Sequence, residues 1–278
     1  MFFSGISDEA GKPLDIQIKA HKELGWAHIE LRNIKGTNFT DISDEEFEKC
    51  VEKLTEANMT VSCFASQLAN WSRKITNPLE ADIEELNRAI PRMQKLGTSF
   101  IRIMSYPNDN WSDADWKEEA IKRIKRLTEI AEDGGIVLAH ENCSGWAGES
   151  PENSLEMIET IGSDSLKLIY DTGNVVEHKQ DPIDFYQKVR EHIVYVHIKD
   201  GTRTDEGKCR FTYPGEGDGK VQEVIRGLLS TGYDGGFSIE PHLSSIIHEG
   251  KQADNPNAAY ETYVEYGKRL EKLVRSAQ

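Results

Sequence analysis

The stretch GGFSIEPH, residues 235–242, is an apolar run closed by a carboxylate, a proline and a histidine. It reads as a buried strand that delivers Glu240 to its far end. Working outward, the same form recurs upstream: IVYVHIKD (193–200), LKLIYDTGN (166–174) and GIVLAHEN (135–142) each carry, near the end, a residue able to ligate a metal. Four further apolar runs precede them: SFIRIMS (99–105), MTVSCFA (59–65), WAHIEL (26–31) and FFSGI (2–6).

Between these runs lie amphipathic segments. In SDEEFEKCVEKLTEAN (43–58), Phe47, Val51 and Leu54 recur at helical spacing and Ser43 is placed to cap the first turn. PLEADIEELNRAIPRMQKLG (78–97) repeats the pattern with Pro91 inside it, which predicts a kink. WKEEAIKRIKRLTEIAEDGG (116–135) closes on glycine, as helices often do. Strands alternating with helices imply parallel pairing through right-handed crossovers. Eight such units in 278 residues have the size of a closed (β/α)8 TIM barrel, of class α/β and occupying residues 1–278 as one domain. An open doubly wound sheet is the rival, but the first strand is followed by SDEAGKPLD rather than a G-x-G-x-x-G turn.

Composition narrows the functional classes. With 37% hydrophobic and 29% charged residues the chain reads as a soluble globular protein. No run approaches the roughly 20 apolar residues of a membrane span, and the first residues lack the pattern of a signal peptide, so a cytoplasmic location is expected. Four separated cysteines without a C-x-x-C pair argue against a disulfide framework or a zinc knuckle. A net charge of −15 would repel phosphate backbones, so nucleic acid is not an expected partner, and with no spanning run neither is a membrane.

In a barrel, functional side chains sit at the C-terminal ends of the strands. Strands five to eight end in Glu141, Asp171, His197 and Glu240, separated by 30, 26 and 43 residues, near one βα unit each with the last lengthened by a glycine-rich loop. Any one of these could be an unrelated polar strand end. Together they bring three carboxylates and an imidazole to one rim, where they would repel one another unless a cation sat among them. Three oxygen donors and one nitrogen suit Mn²⁺ first, with Mg²⁺, Co²⁺ and Zn²⁺ also compatible.

HEN, YDTGN, HIKD and SIEP at these successive strand ends resemble the sugar phosphate isomerase/epimerase family, the xylose-isomerase-like TIM barrels that include ketose 3-epimerases, hydroxypyruvate isomerase and inosose dehydratase. The resemblance implies a divalent cation held by Glu141, Asp171, His197 and Glu240, with Glu141 and Glu240 doubling as the acid/base pair. It also aligns Arg203 with an arginine that touches substrate in the epimerases, and it implies a barrel that often forms homodimers. Two positions depart from the epimerase pattern: Asn174 stands where a histidine is usual and Ala147 where a glutamate is usual.

The expected partner is a small-molecule sugar. A carbonyl polarised by the cation can lose a neighbouring proton to one carboxylate and regain it from the other, which gives epimerisation or isomerisation; loss of a β-hydroxyl gives dehydration. A nuclease on the same barrel would need extra strand-end histidines and a basic groove, which the sequence lacks, and a non-catalytic sugar binder would not need paired carboxylates. Lys199 and His242, each two positions past a ligand, are expected to face the pocket, Lys199 toward a sugar hydroxyl. Asn174 is expected to contact substrate, and Trp146 to pack on sugar C–H faces. His140 is expected to pack, and Glu30 and Arg32 to form a buried salt bridge at the barrel mouth. In the loop YPGEGDGK, Glu216 and Asp218 would oppose a phosphate, so an uncharged sugar is expected over a sugar phosphate.

Overall fold

A computed structural model describes residues 1–204, 206, 208–244 and 256–278. Eight strands form one parallel sheet: β1 Phe2–Gly5, β2 His28–Leu31, β3 Thr60–Phe64, β4 Phe100–Ser105, β5 Val137–Gly145, β6 Leu166–Asp171, β7 Ile193–Ile198 and β8 Gly236–Ile239. Their lateral order is β1-β8-β7-β6-β5-β4-β3-β2, and a parallel bridge between Ile6 and Glu30 joins the two ends. The sheet therefore curls into a nearly closed barrel.

Each strand is followed by a helix on the outside: α1 Leu14–Leu24, α2 Asp44–Glu56, α3 Glu80–Leu96, α4 Asp113–Gly134, α5 Pro151–Ile161, α6 Pro182–Val189, α7 Val221–Ser230 and α8 Pro256–Ala277. All eight expected strands are present, and the (β/α)8 expectation holds. The Ser43 side chain accepts the Glu46 N–H and caps α2, while Gly135 ends α4 in the left-handed conformation. α3 runs unbroken through Pro91, which lies on its exposed side. There a missing N–H and a locally opened turn cost least.

The main core lies between helices and sheet, with Phe47, Leu54, Leu86, Ile124 and Val224 buried against strand residues such as Ile29, Ile101 and Leu138. A smaller cluster, Cys63, Ala139, Ile169 and Tyr195, packs apart from it. The Tyr195 hydroxyl bonds to Ser62 Oγ at 2.8 Å, and Ser62 to Ser4 Oγ at 2.8 Å, so the polar atoms of this packed interior have partners. Among the described residues no helix is long and apolar enough to cross a membrane.

After β7 the chain turns back in a two-stranded antiparallel hairpin, Asp200–Arg203 with Cys209–Thr212; residues 205 and 207 of this loop lie outside the described set. The glycine-rich segment beyond it is organised by one buried carboxylate. Asp200 accepts N–H groups from Gly201, Gly215, Gly217 and Gly219 at 2.8–3.0 Å.

Candidate metal and active site

Glu141, Asp171, His197 and Glu240 converge at the C-terminal rim, each offering a ligand atom within 4.8 Å of the others, and all four are buried. Glu141 leaves β5, where Oε1 meets His197 Nδ1 at 2.8 Å and Oε2 lies 3.4 Å from Arg102 on β4. Asp171 ends β6 with its Oδ1 accepting two N–H groups, from Gly173 and Asn174, both at 2.7 Å. Its Oδ2 is left facing inward, 3.1 Å from Lys199 Nζ. Glu240 follows β8. Its Oε1 is 3.0 Å from Arg32 and 3.2 Å from His242, and its Oε2 is 3.0 Å from Lys199.

His197 is clamped on its other side by Glu30, whose two oxygens lie 3.1 and 3.2 Å from Nε2. This is the arrangement in which a carboxylate fixes the orientation of an imidazole so that its remaining nitrogen faces a metal. Burial would lower the pKa of His197, but Glu30 and Glu141 outweigh it and hold the ring well above the usual histidine range.

With every carboxylate ionised the charges do not balance. Six buried carboxylates, Asp8, Glu9, Glu30, Glu141, Asp171 and Glu240, face three buried permanent cations, Arg32, Arg102 and Lys199. Even a protonated His197 leaves a deficit of two positive charges. The strain shows in the protonation equilibria: burial pushes Glu9 up to about 8 against Arg32, and Asp171 up to about 7 against Lys199. Burial would also raise Glu141, but Arg102 and His197 bring it down to about 2. Burial works against ionised Glu240 as well, and Lys199, His242 and Arg32 together keep it well below the usual range. Glu141 Oε2 and Asp171 Oδ2 are buried and accept no hydrogen bond, with only the Arg102 and Lys199 cations beside them at 3.4 and 3.1 Å. Donor types and charge deficit both fit a divalent cation.

Above the cluster lies a cavity of about 150 Å³ whose walls include Trp71, Met104, Asn174, Lys199, His242 and the two glutamates. Cys143, Ser144 and His178 connect it to a larger outer recess of about 460 Å³.

The expected site residues divide into those brought to this cavity and those kept from it. Asn174 points its Nδ2 there, buried and without a hydrogen-bond partner. His242 lines it as well. Lys199 lines it too, but its amine is held by Asp171 and Glu240 rather than left for a hydroxyl. Arg203 is not among the lining residues: its guanidinium is spent on the carbonyls of Val176 at 3.0 Å and Gln180 at 2.7 Å, bracing the turn that follows β6. Trp146 is not among them either. It is buried in the core, with Lys117 over its ring, and Trp71 after β3 supplies the aromatic wall instead.

His140 packs as expected, its Nε2 3.1 Å from Ser105 Oγ. Glu30 and Arg32 are buried and ion-paired as expected, though not with each other. Glu30 serves His197, and Arg32 bridges Asp8, Glu9 and Glu240. Sequence reasoning missed the part played by Arg102. The signal was present: a charged residue inside the apolar run FIRIM can be buried only if a strand-end acid meets it.

Residues 18–270 match the family described as xylose isomerase-like TIM barrel. Among curated relatives, the uncharacterized protein MJ1311 of Methanocaldococcus jannaschii is 31% identical over 143 residues, covering 49% of this chain and 47% of the relative. An inosose dehydratase of Lactiplantibacillus plantarum is 26% identical over 144 residues, covering 47% and 48%. The matched segments thus span about half the length of these relatives. A crystal structure of a D-tagatose 3-epimerase-like protein superposes over 100% of this chain and 98% of its own, with a TM-score of 0.75 at 20% identity.

Proposed function

The chain belongs to the xylose isomerase-like TIM barrel family, and on that premise we propose that it is a divalent-metal-dependent isomerase or epimerase of a keto-sugar or related polyol. The observation that carries the proposal is the pair Glu141 and Glu240: two carboxylates from separate strands, both lining the cavity, both held ionised, with ligand atoms within 4.8 Å of each other. Glu141, Asp171, His197 and Glu240 would hold the cation, for which Mn²⁺ is the first choice. A bound cation supplies Lewis acidity that polarises a substrate carbonyl and spreads the negative charge developing when the neighbouring C–H is deprotonated.

The protein side chains carry the rest. One of the two glutamates takes the proton from carbon; returning that same proton to the adjacent carbon gives isomerisation, while for epimerisation the other glutamate, after taking up a proton from solvent, delivers it to the opposite face. Glu30 keeps His197 oriented through Nε2. Asn174 offers an amide N–H₂ to a substrate oxygen, and Trp71 an apolar face to sugar C–H groups.

An uncharged sugar is the proposed substrate. Barrels that grip phosphate use loop N–H groups after strands seven and eight. Here Gly215, Gly217 and Gly219 already give theirs to Asp200, and Glu177 adds a carboxylate to the cavity wall. At least tenfold higher kcat/KM for a ketose phosphate than for the free ketose, about 1.4 kcal/mol in transition-state binding, would overturn this preference.

The inosose dehydratase relative supports a second reading, elimination of water from an inosose-like or keto-sugar substrate through the same residues. Proton NMR in D₂O separates the two. Exchange of deuterium into a C–H next to the carbonyl, with the carbon skeleton intact, is the expected outcome. New vinylic or deoxy signals would replace the isomerase reading with the dehydratase one.

A further inference from the structure

The motifs YDTGN and HIKD, adjacent across β6 and β7, are built around Lys199. Thr172 Oγ1 donates to the Lys199 carbonyl at 2.6 Å and accepts the Lys199 N–H at 3.1 Å, which fixes the lysine backbone. Gly173 makes room for its stem: a Cβ there would lie 2.5 Å from Lys199 Cγ and 2.8 Å from Lys199 Cβ. Only a residue without a side chain fits. The stem is thereby laid toward Asp171, whose carboxylate begins the same motif.

The atoms at the end of that path matter most. Other protein groups occupy one oxygen of each carboxylate, Asp171 Oδ1 with two backbone N–H groups and Glu240 Oε1 with Arg32 and His242. The remaining oxygens, Asp171 Oδ2 and Glu240 Oε2, are the two that Lys199 Nζ touches, at 3.1 and 3.0 Å. They are also the oxygens that these residues have left for a metal. An ammonium ion and a divalent cation cannot both use them at full strength, because the two positive charges repel in a site where burial removes most solvent screening.

We propose that Lys199 is the resident counter-ion of the metal-free site and competes directly with the divalent cation for Asp171 and Glu240. In the empty site its charge offsets part of the carboxylate excess and keeps the four strands together. On metal loading the amine leaves these oxygens, and because Lys199 also lines the cavity it then faces substrate. The inference rests on the metal-site reading above and goes beyond it, since it assigns the competitor that sets the site's affinity.

The test is Mn²⁺ titration by calorimetry, with melting temperatures measured with and without Mn²⁺, on wild type, Lys199→Met and Lys199→Arg. The expected pattern is a crossed one. Lys199→Met should lower the melting temperature of the metal-free protein, tighten Mn²⁺ binding at least tenfold, and widen the gap between metal-free and Mn²⁺-loaded melting temperatures. Lys199→Arg, which keeps the charge, should bind Mn²⁺ no tighter than wild type. If metal-free Lys199→Met does not stay folded, it can be purified with Mn²⁺ and its affinity measured by competition with a chelator. Less than tenfold tightening in Lys199→Met, with wild type binding one Mn²⁺, overturns the competition while leaving the metal site standing. A wild type that binds no Mn²⁺, Mg²⁺, Co²⁺ or Zn²⁺ removes both.

Discussion

The two halves of the barrel rim do different work. Strands β5 to β8 deliver the four ligand-type residues, one per strand end, while the rim of β1 to β4 delivers Asp8, Glu9, Glu30, Arg32 and Arg102, which face those ligands without being among them. A set of carboxylates dense enough to hold a cation needs fixed opposite charge around it, or burial would protonate the acids. One half supplies the candidate ligands, and the other adds Arg32 and Arg102 as counter-charge and Glu30 as the support of His197.

That division can be broken from either side, and the largest effect is expected from the ligand half. Glu240→Gln removes a ligand and a proton-transfer group together, so activity should fall about 10²–10⁴-fold while the fold persists. Steady-state kinetics at saturating metal, alongside circular dichroism, check this; wild-type turnover would remove Glu240 from the acid/base pair. In the opposite half, Arg32→Met leaves Asp8, Glu9 and Glu240 buried without their shared partner. Breaking such a buried pair costs about 3–5 kcal/mol, which urea denaturation would read. A loss below 1 kcal/mol would mean the cluster does not depend on Arg32.

Two buried histidines sharpen the contrast. Carboxylates push the pKa of His197 up, whereas burial brings that of His21 on α1 down to about 4 against help from the Gln17 carbonyl. Because the folded state binds this proton more weakly than the unfolded state, stability is fully present above about pH 6.5 and is lost as pH falls toward 4. The expected loss from this one group is about 3 kcal/mol. Comparing the pH dependence of urea unfolding in wild type and His21→Gln isolates the His21 share. An unchanged slope would sink the assignment. The smallest effect is expected from Glu30→Gln, which keeps a hydrogen bond to His197 but loses the charge. Mn²⁺ affinity should fall about 10–100-fold by calorimetry, and equal affinity would reduce Glu30 to a packing role.

The same division explains what could be read from the sequence. Strands and ligands were legible because apolar runs recur at one βα spacing and each of the last four closes on a ligand type, a pattern that survives uncertainty of a residue or two at each strand end. The opposing half has no such repeat. Glu30 in β2 and Arg32 just past it stand two apart and so could be placed on one face, but His197 and Glu240, which they meet, lie 167 and 208 residues away, and nothing local names them. Arg203 was drawn to the site by the family resemblance, and Trp146 by its place just after the fifth strand. Side-chain reach decided otherwise: Arg203 finds the carbonyls of Val176 and Gln180 after β6, and Trp146 finds the core. Lys199 was correctly turned toward the pocket, yet its partner depends on which carboxylate oxygens remain free, and only the folded structure reveals that.

One detail of the barrel's closure joins the halves mechanically. Most neighbouring strands share a ladder, but β1 and β2 meet at a single backbone bridge, Ile6 with Glu30, supported by Ser7 Oγ donating to the Glu30 carbonyl at 2.9 Å. The residue that closes the cylinder with its main chain is the one that orients His197 with its side chain. A breathing motion that parts this seam, of the sort amide hydrogen exchange detects, also swings the imidazole's support away, so seam opening and ligand misalignment are one fluctuation with one free energy.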